Sequence, residues 1–217
     1  IDSYTEENGY SPTVQEIANA TDILAANERF NAELQMQIEG KLPIGHIYKL
    51  GKPSQYLLAC GFPDEEIELS STNLLEHSRK TRHPFDLVDV KNLVAALQTP
   101  LAVFEYGDRN KSQNIIVEIE KEGRNFLVGI HFNQSRRGII VSDIRGIFPK
   151  DNAEWLNWIS QKKHIYLNKK KIQALINKQR KNLAEVKYLD LNDIANLINI
   201  HRNPILVEAK SSQSPQN

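Results

Sequence analysis

Four consecutive runs rich in β-branched and aromatic residues, "LAVFEY", "NIIVEIEK", "NFLVGIHF" and "GIIVSDIRGIF", occupy residues 101–148, with only the turn-forming stretches "GDRNKS", "EGRN" and "NQSRRG" between them. A parallel crossover needs about a dozen residues, so strands joined this tightly predict an antiparallel meander. Helical patterns lie before and after the strands. The expected class is therefore α+β: N-terminal helices, a helix pair packed on a four- to five-stranded, mostly antiparallel sheet, and C-terminal helices.

Upstream of the sheet, Thr13-x-x-Glu16 reads as a capping box, and Val14, Ile17, Leu24, Leu34 and Ile38 recur at helical spacing until Gly40. "GYSPTVQEIA" looks like the opening helix of a winged helix-turn-helix, but a polar rod follows where a turn and recognition helix belong; a packing or linker helix is expected. "LPIGHIYKLGKPS" reads as loop. A short helix is predicted between Pro53 and Gly61, and "IELS" as a strand, with Ser70 or Ser71 capping the helix that carries "NLLEHSRK". Pro84 biases His83 away from helical geometry, so that helix should end at or before it. "DLVDVKNLVAALQ" predicts a second helix with Leu87, Val90, Leu93, Val94 and Leu97 on one face. Past the meander, Asp151 is placed to cap "NAEWLNWIS", with Trp155 and Trp158 anchoring it. "HIYL" predicts an edge strand, and "NKKKIQALINKQRKN" and "DLNDIANLINIH" two further helices.

Lys+Arg and Asp+Glu number 27 each, so attraction to a polyanion has to come from local clustering. The single cysteine, Cys60, excludes an internal disulfide and multi-cysteine metal sites. No apolar run approaches the roughly 18 residues that span a membrane. The sequence also has no phosphate-binding glycine loop, no H-E-x-x-H and no G-x-S-x-G elbow, which argues against nucleotide hydrolysis, zinc proteolysis and serine hydrolase chemistry. The chain opens at Ile1 and reads as the tail of a longer protein.

One cluster stands out. "EHSRKTRHPF" puts His77, Arg79, Lys80, Arg82 and His83 within seven residues. Imidazole, with an ordinary pKa near 6.5, can take or give a proton at neutrality. Guanidinium binds phosphate oxygens bidentately and stays charged. Metal-free cleavage of RNA needs these types: a base for the ribose 2′-OH, an acid for the leaving oxygen and cations for the charge on phosphorus. A helix C-terminus also favours cations through its dipole, so the same run is equally a solvated helix end. Ser142 and Arg145 on the last long strand are candidate partners for the histidines. The basic helix carrying Lys169 is a further patch for an RNA backbone, or a solvated face.

"RHPFDLVDVKNLVAALQTPLAVFEYGD", then "VSDIRGIFPKD", "WLNWI" and "IYLNKKK", together resemble the phage MuF C-terminal domain family. That resemblance implies a place among the barnase–EndoU–colicin–RelE-like group of small metal-independent RNases, many of them toxins, at the ends of multidomain proteins of phages and conjugative elements of gut bacteria. It implies a domain organisation of 1–41 as a helical linker, 42–171 as the nuclease-fold domain, 172–210 as a helical extension and 211–217 as a disordered tail. Carried over residue by residue, it points to Arg82 and His83, His77, Ser142 with Asp143, Lys150 and Tyr166. The catalytic set expected is His83, Arg82, His77, Ser142 and Tyr166, with Arg79, Lys80, Asp143, Arg145, Lys150 and Lys169 holding substrate. No metal or cofactor is expected. The expected partners are RNA, a cognate immunity or antitoxin protein and upstream domains, in the cytoplasm, including that of a recipient cell. Where relatives carry a serine and then a tyrosine, this chain has Gly146 and Phe148. The competing reading is a non-catalytic module that binds nucleic acid or protein.

Overall fold

A computed structural model of the chain describes residues 14–205. The capping box at Thr13 and the predicted tail at 211–217 lie outside them. Helix α1 (Val14–Ile38) is one uninterrupted rod, so no recognition helix follows within it. Its buried row is Ala26, Phe30 and Leu34, four residues apart on one face. Leu24 and Ile38, expected on the apolar stripe, are exposed instead. Leu24 lies off that row, whereas Ile38 is its next step of four but is the last residue of the helix.

Strand β1 (Ile47–Gly51) occupies a stretch expected to be loop. Tyr48 and Leu50 alternate inward and are fully buried, and β1 pairs antiparallel with β2 (Ile67–Ser70). Between them sits α2 (Gln55–Ala59), capped by the Ser54 hydroxyl. Ser70 then caps α3 (Ser71–Lys80) by accepting from the Asn73 amide. The expected second helix is broken in two: a 3₁₀ turn (Leu87–Val90) and α4 (Leu93–Gln98), with Asn92 left-handed at φ 66°. Asparagine tolerates that region. Asn31 bonds both the amide and the side chain of Asn92, and Asn27 Oδ1 accepts from Ala95 N, so side chains of α1 hold the start of α4. The predicted apolar face survives the break, with Val90, Leu93, Val94 and Leu97 fully buried.

The meander forms as expected from β3 (Ala102–Glu105), β4 (Ser112–Lys121), β5 (Arg124–Arg136) and β6 (Ile139–Lys150). After it come α5 (Asn152–Ser160), edge strand β7 (His164–Leu167), α6 (Lys169–Ala184) and α7 (Leu191–Ile200). The sheet has seven strands in the order β1-β2-β6-β5-β4-β3-β7, against the four to five expected. It is antiparallel throughout except where β2 runs parallel to β6.

Alternation along the strands makes two cores. Val128, Ile130 and Phe132 of β5 face α1 to α4, while Leu127, Phe104 and Ile116 face α5 to α7. Trp155 is fully buried in the second core, and Phe104 packs against both Trp155 and Trp158, so both tryptophans anchor α5. Among the described residues no helix is long and apolar enough to cross a membrane.

Candidate functional site

The loop between α3 and the 3₁₀ turn decides where the cationic cluster goes. Helix α3 ends at Lys80, and Thr81 is already extended. Phe85 N returns to Ser78 O, the Thr81 hydroxyl donates to His83 O, and Phe85 buries itself against Phe126 at 5.0 Å. Arg82 and His83 are thereby carried off the helix axis, toward the junction where β6 hands over to α5.

Asp151 stands at that junction. Its backbone occupies the N-cap position of α5, but its side chain makes no capping bond. The carboxylate instead accepts from Arg124 Nε at 2.6 Å, with His83 Nε2 at 3.5 Å and Arg82 Nη1 at 3.9 Å. Burial pushes the Asp151 carboxyl up. The Arg124 hydrogen bond and charge, with His83 and Arg82 adding theirs, outweigh it and hold the group below the usual carboxylate range. His83 is mostly covered (23% of its side chain exposed), and its Nε2 is buried close to Asp151 without hydrogen-bond geometry. Arg82 is the reverse: 77% exposed and held only loosely, with Glu154 Oε1 at 3.5 Å. Lys150 closes the group, 2.6 Å from Glu154 and 5.5 Å from the centre of the Trp158 ring.

Arg82, Arg124, Asp151 and Glu154 border an open cleft of about 540 Å³; His83 and Lys150 are not among the residues that line it. One wall comes from Arg82, the β4–β5 turn (Glu122, Gly123, Arg124) and the first turn of α5; the other comes from the end of α6 and the segment beyond it. Asn152 ties the walls together. Its Oδ1 accepts from Asn125 N and Trp155 Nε1, and its Nδ2 donates to Gly123 O and Gln179 Oε1. Arg124, Asn152, Glu154 and Tyr188 were invisible in sequence as site residues, and Asp151 read only as a cap. Their signals, a turn arginine and a "KDNAE" helix start, are indistinguishable from ordinary punctuation.

The remaining expected residues are dispersed. His77 Nε2 bonds Arg145 O at 2.9 Å, where β6 carries an extra residue relative to β5. Arg79 and Lys80 are exposed on the last turn of α3, Lys80 4.0 Å from Glu76. Ser142 is fully buried and donates to Glu65. Asp143 is clamped between Arg136 at 2.7 Å and Arg145 at 2.6 Å. Tyr166 packs on Tyr56 at the β7 edge, and Lys169 donates to Asn199 O. The structure thus brings Arg82 and His83 to Asp151, with Lys150 held beside them by Glu154; of the expected residues Arg82 lines the cleft, while His83, Lys150, His77, Ser142 and Tyr166 do not. Gly146 and Phe148 do not line it either, and Phe148 packs on the second core.

The other histidines are placed for packing. His46 contacts Glu33 at 2.9 Å, and half-buried His131 sits between buried Ile130 and Phe132. His164 and His201 meet edge-on at 4.6 Å; burial, with His201 adding, pushes His164 down to about 4. Among the described residues no group of three or more His, Cys, Asp or Glu is arranged to hold a metal ion.

No curated protein and no solved structure matches the chain. Residues 74–174, from α3 into α6 and a little under half of the chain, match the family model of the phage MuF C-terminal domain, and over that span the protein is similar to a phage-related module.

Proposed function

We propose that the cleft beside Asp151 is the site of a metal-independent endoribonuclease. The observation that supports this reading is an aspartate beside a loosely held arginine in an open cleft, with His83 Nε2 3.5 Å from that aspartate. The Asp151 carboxylate stands 3.5 Å from His83 Nε2 and faces that edge of the ring. With Nε2 turned to the carboxylate, Nδ1 is the nitrogen left to exchange a proton with substrate. His83 takes the 2′-OH proton as that oxygen attacks phosphorus. The bond from phosphorus to the 5′ oxygen breaks, and the leaving oxygen takes the proton back, giving a 2′,3′-cyclic phosphate. Arg82 swings from Glu154 to the phosphate, a small rearrangement because an exposed pair at 3.5 Å contributes little.

A second reading, a non-catalytic binding module, is favoured by the lining itself. Three carboxylates (Glu122, Asp151, Glu154) face two guanidiniums there, and each guanidinium already has an acidic neighbour. One experiment separates the two. The purified chain is incubated with labelled single-stranded RNA in chelator, alongside His83→Ala. Cleavage by the parent, falling about a hundredfold or more in the variant at an unchanged melting temperature, supports the nuclease. Binding without cleavage supports the module, and cleavage that His83→Ala leaves intact removes His83 from the mechanism.

A further inference from the structure

The second wall of the cleft has a different origin from the first. Gln179, Asn182, Leu183, Val186 and Tyr188 all lie beyond residue 174, where the family match ends. The wall is firmly docked. Gln179 accepts from Asn152 and donates to Gly123 O, each at 3.0 Å, and Leu183 is buried in the second core. The turn after α6 is closed by Val186 N to Leu183 O and Leu189 N to Val186 O, and Leu189 is buried immediately after Tyr188. Tyr188 is consequently held in place at its backbone while its ring stays 57% exposed. Its hydroxyl is pushed up by burial, then by Glu154 and Asp151, the same carboxylates that line the opposite wall.

An aromatic ring kept exposed on a fixed wall is a stacking surface. The lining carboxylates accept hydrogen bonds from a neutral heterocycle, and the loosely held Arg82 is the lining cation available to a phosphate. Asn182, exposed on the same wall, offers an amide donor and acceptor for a base edge. A cleft of about 540 Å³ has room for such a ligand. We propose that residues 179–188 form a base-binding wall, with Tyr188 stacking one unpaired nucleobase of single-stranded RNA and Asn182 bonding its edge, next to the phosphate held by Arg82. The proposal rests on the RNA reading of the cleft but not on cleavage.

Binding is therefore measured by fluorescence anisotropy with a 2′-O-methyl single-stranded oligonucleotide, which cannot be cut, and the full chain. Base–aromatic stacking is worth about 1–3 kcal/mol, so Tyr188→Ala should weaken binding about tenfold or more. Tyr188→Phe and Tyr188→Trp keep the ring and should retain the affinity. Melting curves of all three check that the exposed position leaves the fold intact. Equal affinity of Tyr188→Ala and the parent overturns the base-binding wall, as does loss of affinity in Tyr188→Phe, which would point to the hydroxyl. Failure of the parent to bind the oligonucleotide overturns both the wall and the RNA reading. If the tyrosine series behaves as expected while the parent never cleaves RNA, the wall stands and the nuclease falls.

Discussion

One aspartate within β6 and another just past its last residue are each flanked by two arginines, yet the two groups do different things. Asp143 is 7% exposed at its side chain and saturated: Arg136 bonds one oxygen at 2.7 Å, Arg145 the other at 2.6 Å, and Arg136 also lies 3.3 Å from Glu68. Asp151 has one tight partner, Arg124, and two slack ones, His83 and Arg82. The first cluster sits against the β2–β6 pairing, where Asp143 and Glu68 are in register, and any movement there would unpair buried charge. The second sits past the end of the strand, at a cleft. The same residue types build a structural clamp where the backbone is committed on both sides and a loosely held group where it is not.

The sharpest way to break this comparison is Asp143→Ala. Removing one member of a buried ion-pair cluster costs about 3 kcal/mol, and in a chain of this size that lowers the melting temperature by about 9 °C. RNA affinity, corrected for the folded fraction, should be unaltered. A variant that melts like the parent would mean that Asp143 is no clamp; one that folds but loses affinity would move the functional centre to that part of β6.

Acid sharpens the comparison, because the two clusters respond with opposite sign. Asp151 lies below its ordinary value in the folded chain, so its contribution is complete above the unfolded value near 3.9 and is lost as pH falls through the folded one. Glu68 lies above its ordinary value, chiefly through burial, which outweighs the pull of Arg136 and Lys49. Its ionisation therefore weakens the fold as pH rises past about 4.3, and acid relieves it. Asp151→Asn should lower the melting temperature at pH 7 by about 4 °C, from a charge-assisted bond worth about 1.5 kcal/mol, and the gap should close below about pH 4. A gap that persists undiminished at pH 3 would mean that the Asp151 charge contributes nothing.

These two clusters also show what a sequence can and cannot carry. The meander was readable because β-branched runs and turn residues are local signals. Strand β1 was not, since "IYKLG" lies between prolines and becomes a strand only by pairing with residues about 20 positions away. The parallel contact of β2 with β6 has no local signature at all. Within the site, Arg82 and His83 stood out as a dense cationic run, but Arg124 and Asp151 were punctuation until the fold brought a turn and a helix start together. Arg145 read as a substrate group by type and Asp143 through the resemblance, whereas in the structure the two bond each other at 2.6 Å. Tyr188 gains meaning only from the docking of α6.

The smallest structural effect is expected where the functional one is large. Arg82 is 77% exposed, with carboxylates no nearer than 3.5 Å, so Arg82→Ala should leave the melting temperature within about 1 °C of the parent. If Arg82 holds phosphate, the same change weakens oligonucleotide binding at all sequences alike and lowers the salt slope of the affinity by about one. Arg145→Ala is the matched control in the middle of β6, also partly exposed but tied tightly to Asp143; it should cost stability and leave the salt slope alone. Titrating both variants between low and moderate salt decides which cluster faces the polyanion. A slope that changes with Arg145 and not with Arg82 would exchange the roles assigned to the two aspartates.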